Sequence, residues 1–345
     1  MNLLAHVCVS FVRSGLGEER EFTEVLSESA LCASRTDNSK LVRGLREDSH
    51  SEALLENCRQ DYKEGRMDCP RLAHECDLKT ITLSPRLGLE QGMCHGCPVG
   101  SFCMSVLCCV LLGRKPDGSV KVRPIDDMSR SGCNAATSSG EKLRYESLDL
   151  FLRSMRAMHK AVGPDLKSWK ADIDSAFRRI PLLPAHRQHA HVVFMHNGNV
   201  IVAKHLSCMF GAVSSVYHWE RVGELLKAIA RRIFHIPLCR FVDDFFAAEH
   251  CEVAAHGMRI FAKLVDLVLG KGACAPKKLE CNNPLTVLGI QAEINFCGVV
   301  FTLSPAKAAE LVELIDAYLE LGRLHSGEAS KLAGKLALPA LGWLL

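Results

Sequence analysis

Apolar residues along this chain follow two rhythms, and each rhythm predicts a different element. Leu148, Phe151, Leu152, Met155 and Met158 recur every three or four residues, which predicts a helix over 148–162 that Gly163-Pro164 ends and Ser147 caps. Steps of three or four through Val216, Trp219, Val222, Leu226, Ile229 and Ile233 predict a second helix over about 215–233. A third is expected over about 253–269, stopping at Gly270. Ser304-Pro305 opens a fourth, to about Leu321, with a cap and a first-turn Pro; another begins near Ser326. Between them lie short apolar runs of strand length. Trp169 to Phe177 reads as a strand running into a turn. Residues 189–203 read as a hairpin about Asn197-Gly198, and 237–248 as two short strands joined tightly at Asp243-Asp244. After the Asp117-Gly118 turn, Val120-Lys-Val-Arg123 alternates apolar with basic, as a half-exposed strand does. The order strand, helix, hairpin, helix predicts an α+β fold, with helices gathered on one face of a mainly antiparallel sheet.

Residues 1–80 are polar and lack sustained periodicity; a short helix around Ser51 to Arg59 is expected there, with no chemistry. The chain has 345 residues, 48% of them hydrophobic, enough for a core and for two or three packed subdomains. Its formal charge is only +3, but residues 114–180 carry fourteen Lys and Arg against nine Asp and Glu. Such a stripe suits nucleic acid as well as it suits a solvated face. No apolar stretch reaches membrane-spanning length, and Met1 to Val12 lacks a basic leader and a cleavage site. The expectation is an intracellular protein, cytoplasmic or nuclear, without membrane contact. The seventeen cysteines are scattered and odd in number, which predicts free thiols in a reducing compartment. Cys94 and Cys97 form a CxxC followed by Cys103, Cys108 and Cys109, but no second well-spaced pair completes a zinc site. The cluster His186, His189, His191 is explained by a hairpin strand.

The carboxylates carry the chemical signal. Asp172 ends an apolar-flanked strand, and Asp243-Asp244 sits between Phe241-Val242 and Phe245-Phe246. Adjacent acids within an apolar hairpin are costly to desolvate unless a cation compensates. If the two strands are neighbours, three carboxylates converge, an arrangement suited to two Mg²⁺ ions about 4 Å apart. Taken alone, an Asp-Asp pair is more often a surface turn.

Several motifs in order change that balance: Lys121-Val-Arg-Pro-Ile-Asp-Asp127, Asp172-Ile-Asp-Ser-Ala-Phe-Arg-Arg-Ile-Pro181, Phe210-Gly211, Phe241-Val-Asp-Asp244 and Leu288-Gly289. In order and spacing the chain resembles reverse transcriptases from about Leu83 to Ala337, most closely those of eukaryotic retroelements. The resemblance implies a right-hand polymerase fold, its palm an antiparallel sheet backed by helices. The divisions are a poorly defined segment 1–80, fingers over 81–165, a palm over 166–302 with an interleaved fingers hairpin, and a partial thumb or connection over 303–345. It implies RNA-directed DNA synthesis from dNTPs on a primer and an RNA or DNA template, with two Mg²⁺ as cofactors and Mn²⁺ able to substitute.

Roles follow residue by residue. Asp172, Asp243 and Asp244 match the catalytic metal-binding triad, with Ile173 lending a backbone carbonyl. Phe177 matches the bulky residue beneath the sugar that selects deoxynucleotides; a core Phe is the plainer reading. Lys121 and Arg123 match residues gripping the triphosphate, and Arg is the planar fork that phosphate oxygens prefer. Phe210-Gly211 resembles the loop against the nascent base pair, although Ala212-Val-Ser-Ser215 departs from the usual Asn-Ala-Pro ending. Lys277 or Lys278 lies where a basic residue approaches the triphosphate and can donate a proton to the leaving pyrophosphate; two surface lysines would look the same. Leu288-Gly289 resembles the primer grip. Asp174 shares a strand face with Asp172 but has no counterpart in the triad. Residues 92–113 read as an insertion within the fingers, and the apolar end at Leu341–Leu345 reads as a polymerase cut short. Two rival readings stand beside polymerase activity. One is a truncated, inactive remnant that only binds nucleic acid. The other is a magnesium enzyme using Asp172-Ile-Asp174 as a DxD motif, which leaves Arg123 and Phe210-Gly211 unexplained.

Overall fold

Elements form where the apolar rhythms place them. The computed structural model describes residues 38–90, 122–137, 142–143, 145–146, 148–330, 332–333 and 336. In chain order the elements are α1 (Asn38–Gly44), α2 (Ser51–Lys63), β1 (Arg71–Leu72), β2 (Leu83–Glu90), β3 (Val122–Asp126), α3 (Leu148–Val162), β4 (Leu166–Asp172), β5 (His191–His196), β6 (Asn199–Lys204), α4 (Val213–Arg232), β7 (Cys239–Phe241), β8 (Asp244–His250), α5 (Cys251–Leu269), β9 (Leu279–Asn282), β10 (Leu285–Val287), β11 (Ile290–Asn295), β12 (Gly298–Leu303) and α6 (Pro305–Leu321). The expected stops are present. Asn197 and Gly198 both have positive φ, as a two-residue hairpin loop requires. Ser304 accepts a bond from the Lys307 amide at the start of α6, and Gly270 ends α5 at φ 94°. Ser147, Lys121, the Asp117-Gly118 turn and the Cys-rich block 92–113 lie outside the described residues.

The fold is mixed α+β. Its described strands form sheets ordered β7-β8-β4-β9, β1-β6-β5-β2-β3 and β10-β11-β12. All pairings within them are antiparallel except β2 with β5, where Leu83 lies beside His191.

One expectation needs correction. Helices cover both faces of the β7-β8-β4-β9 sheet, not one. Trp169, Ala171, Phe245 and Ala247 face a core shared with Trp219, Val222 and Leu226 of α4 and Phe261 and Leu264 of α5. The alternate residues Phe246 and Ala248 face Phe151, Leu152 and Met155 of α3 and the apolar side of β10 and β11. A strand buried on both sides has no polar face, which is why Phe245–Ala248 reads as an unbroken apolar run. Within the described residues 38–80, the helix expected around Ser51 to Arg59 is present and packs into the core. Leu54 and Cys58 of α2 are fully buried against Phe194 of β5 and Met67. Its buried stripe (Ser51, Leu54, Leu55, Cys58) is half small or polar residues, so the sequence shows the helix but not the depth of its burial.

Candidate active site

Antiparallel register brings the acids together. Asp172, last residue of β4, lies directly opposite Asp244, first residue of β8. Directly opposed residues project to the same face with Cβ atoms about 5 Å apart. Asp243 precedes Asp244 in the two-residue loop that joins β7 to β8, where Phe241 pairs with Asp244. Burial raises the Asp243 pKa, and the charge of Asp172 adds to the rise. Burial, then Asp243, then Asp172 push Asp244 up to about 6. The cluster therefore attracts positive charge, and one cation is already present: Lys278 Nζ lies 2.9 Å from Asp172 Oδ2 and 3.6 Å from Asp174 Oδ1. Burial opposes the charge on Lys278, but the hydrogen bond and charge of Asp172 outweigh it and raise its pKa. Asp172, Asp244, Lys170, Lys278 and Leu288 line a cleft of about 220 Å³.

The sequence placed Asp172 and Asp174 on one strand face. In fact β4 ends at Asp172, Ile173 buries its side chain, and the Asp174 amide bonds to the Ala273 carbonyl at 2.9 Å. Among the described residues, Asp174 is tied to the site through Lys278, and it also meets Arg179 at 3.6 Å.

Aromatic rings connect the acids to other expected residues. Phe177 sits 5.6 Å from Phe210 and 6.1 Å from Trp219, centroid to centroid. Trp219 Nε1 in turn donates to the Val242 carbonyl at 2.9 Å, in the loop bearing Asp243. Phe210 is half exposed, and Gly211, though also exposed, runs close to the backbone of β3. A Cβ on Gly211 would lie 2.2 Å from the Asp126 carbonyl oxygen, and its φ is 86°. Gly211→Ala is therefore expected to cost about 1–3 kcal/mol, since both the backbone conformation and the backbone contact resist a side chain. Urea unfolding of the variant checks this.

Leu288 and Gly289 form the two-residue loop between β10 and β11, both at positive φ, with Leu288 on the cleft. Arg123 is exposed on edge strand β3, in a different sheet from the acids. The structure brings together Asp172, Asp243, Asp244, Lys278 and Leu288, links Phe177 and Phe210 to them through Trp219, and leaves Arg123 apart.

Sequence reasoning missed a buried ionic network beneath this region. Arg86 makes a two-pronged pair with Asp126, Nε to Oδ1 at 2.6 Å and Nη2 to Oδ2 at 3.0 Å. His205 Nε2 lies 3.0 Å from Asp126 Oδ2, and Arg178 Nη1 donates to His205 Nδ1 at 2.6 Å. Because Nδ1 accepts, Nε2 carries the ring proton and donates to Asp126. Burial and then Arg178 hold the His205 pKa down at about 3, so the ring is neutral. Arg178 Nη2 also reaches Asp61 of α2 at 2.7 Å. The network thus joins α2, β2, β3 and the residue after Phe177. Its only sequence trace is charge inside otherwise apolar elements.

Among the described residues, no three His, Cys, Asp or Glu side chains stand close enough as placed to hold a metal ion. The donors at the cleft are carboxylate oxygens, the chemistry that Mg²⁺ and Mn²⁺ prefer. Also among the described residues, no helix is long and apolar enough to cross a membrane. No protein-family model and no curated protein sequence matches this chain.

Proposed function

We propose that this chain is an RNA-directed DNA polymerase with β7-β8-β4-β9 as its palm. The observation that carries the reading is the register that sets Asp172 against Asp244, with Asp243 adjacent in the loop. The ordered sequence motifs support it, as does the aromatic chain from Phe177 to the acid-bearing loop. In this reading β2, β3, β5 and β6 belong to the fingers and α6 begins the thumb.

Asp172, Asp243 and Asp244 would hold two Mg²⁺ ions, with a carbonyl from Ile173. Mg²⁺ usually takes one or two carboxylates together with substrate phosphates and waters, so a closed cage of three protein ligands is not needed. When bound, the ions would supply activation of the primer 3′-hydroxyl and charge neutralisation at the departing pyrophosphate. The residues of the chain orient the reactants. The Phe177 ring leaves no room for a 2′-hydroxyl on the incoming sugar. Lys278 holds a proton beside Asp172 and delivers positive charge, or that proton, to the leaving group. Phe210-Gly211 packs against the new base pair, Leu288-Gly289 supports the primer, and Arg123 with Lys121 would grip the triphosphate.

The test is primer extension on an RNA template with dNTPs and Mg²⁺. The wild type should extend the primer, and Asp243→Asn should be slower by more than about a hundredfold, because ion-based charge stabilisation supplies several kcal/mol of the barrier reduction. Equal inactivity of both proteins, folded by circular dichroism, would sink the polymerase reading and leave nucleic-acid binding without catalysis.

A further inference from the structure

The loop that carries Asp243 and Asp244 stands on a buried arginine. We infer that Arg240 is a positioning residue, whose guanidinium, seated in a notch left by Gly223, fixes the Val242 carbonyl and so aims the two carboxylates into the cleft. This rests on the polymerase reading for its activity arm; its cation-binding arm needs only the acids.

Val242 has φ 54°, a left-handed conformation that a β-branched residue rarely adopts. Such a backbone persists only where its surroundings over-determine it. Here two donors converge on one carbonyl: Trp219 Nε1 at 2.9 Å and Arg240 Nη1 at 2.8 Å both meet Val242 O. The far side of the guanidinium is anchored to α4, with Nη2 lying 2.6 Å from Glu220 Oε2 and 3.0 Å from Glu224 Oε1. Lys227 Nζ then ties Glu224 to Glu146, at 2.6 and 2.9 Å, and Glu146 accepts from the Arg240 backbone amide at 3.2 Å. Charge is therefore balanced outward from Arg240 through Nη2, and its Nη1 faces the loop.

Two features suggest that this placement serves the carbonyl rather than the ion pairs. Arg240 is 2% exposed, yet among the described residues its Nε has no hydrogen-bond partner, a cost that a guanidinium placed only for pairing would avoid. The mid-helix Gly223 is equally pointed. A Cβ there would stand 2.6 Å from Arg240 Nη1 and 2.8 Å from Cζ, so any larger residue displaces the fork. Glycine inside a helix is otherwise unfavourable, and the space it clears is the space the arginine occupies. The peptide after Val242 leads directly into Asp243, so an error in that carbonyl's direction turns both carboxylates. Groups that orient metal ligands in this way are worth about 10–100-fold in metal affinity or activity.

The experiment compares wild type, Arg240→Met, Gly223→Ala and Val242→Gly, and the double variant Arg240→Met/Val242→Gly. Mn²⁺ affinity is read by electron paramagnetic resonance, and kcat and dNTP KM by primer extension. Near-ultraviolet circular dichroism checks the fold. Arg240→Met and Gly223→Ala should each weaken Mn²⁺ binding and lower kcat by about 10–100-fold, with KM changed far less. In the Val242→Gly background, where the left-handed backbone carries no penalty, Arg240→Met should lose markedly less. Folded Arg240→Met or Gly223→Ala protein with Mn²⁺ affinity within twofold of wild type would overturn the proposal, as would equal losses in both backgrounds. A wild type that binds Mn²⁺ but does not extend primers defeats the polymerase reading alone, and the Mn²⁺ comparisons still decide the role of Arg240. A wild type that does neither defeats both.

Discussion

Arg86→Met is expected to destabilise the protein by about 3–5 kcal/mol, read from the shift of the urea midpoint at constant slope. Arg86 and Asp126 expose only 2% and 4% of their side chains. Burial alone would drive the Asp126 pKa up, but Arg86 first, then His205, hold it well below the usual carboxylate range. Removing the guanidinium leaves a desolvated carboxylate whose strong partner among the described residues is a neutral imidazole, and the missing neutralisation destabilises the folded state. Met matches the volume of the Arg stem, so lost packing contributes little. The companion experiment separates the pair from its parts. Arg86→Met combined with Asp126→Leu removes both charges and should recover much of the loss, because apolar replacement of a whole buried pair is often close to neutral. If the double variant is no better than the single, the cost lies in packing and the ionic account of this network is wrong. The network also borders the site: Gly211 packs on the Asp126 carbonyl, and Arg178 follows Phe177 in sequence.

The parts legible in the sequence were those written in one local rhythm. The helix over 148–162 and the Asn197-Gly198 hairpin follow from side-chain period and turn chemistry, and both are present. Asp172 and Asp243-Asp244 stood out because charge at the ends of apolar strands is costly enough to need a reason. Less legible was anything set by pairing between distant segments. Nothing in Ser51–Lys63 signals that Asp61 will meet Arg178, a separation of 117 residues. Helix coverage of both sheet faces was hidden because a doubly buried strand loses its alternation. Arg240 did leave a trace, an arginine inside Leu238-Cys-Arg-Phe-Val242. Its meaning depends on Gly223, which lies on another element and whose role is the absence of a side chain.

Asp244→Asn should move stability and activity in opposite directions. Above pH 6 the Asp244 carboxylate is ionised in a half-buried place beside Asp243 and Asp172, and Lys170 and Lys278 offset only part of that repulsion. Its folded pKa of about 6 lies above the ordinary 3.8, so the folded chain binds this proton more tightly than the unfolded chain does. Stability from this group therefore falls as pH rises from 3.8 to about 6, and the penalty is constant above that. At 1.36 kcal/mol per pH unit the rise corresponds to about 3 kcal/mol; solvent screening at a partly exposed group reduces the expected gain in the variant to about 1–2 kcal/mol at pH 8. The gain should shrink below pH 6 and vanish below pH 4. Primer extension should meanwhile drop more than about a hundredfold, since the amide offers a divalent ion one neutral oxygen where a carboxylate offers two charged ones. Urea unfolding in EDTA at pH 8 and pH 5, beside primer extension at pH 8, reads both effects. An Asn variant less stable than wild type at pH 8 would mean that the acids are satisfied as they stand and do not call for a cation. A variant that is stabilised but equally active would place the chemistry elsewhere. The combination of gained stability and lost activity is what a site that stores like-charge repulsion for a cation must give.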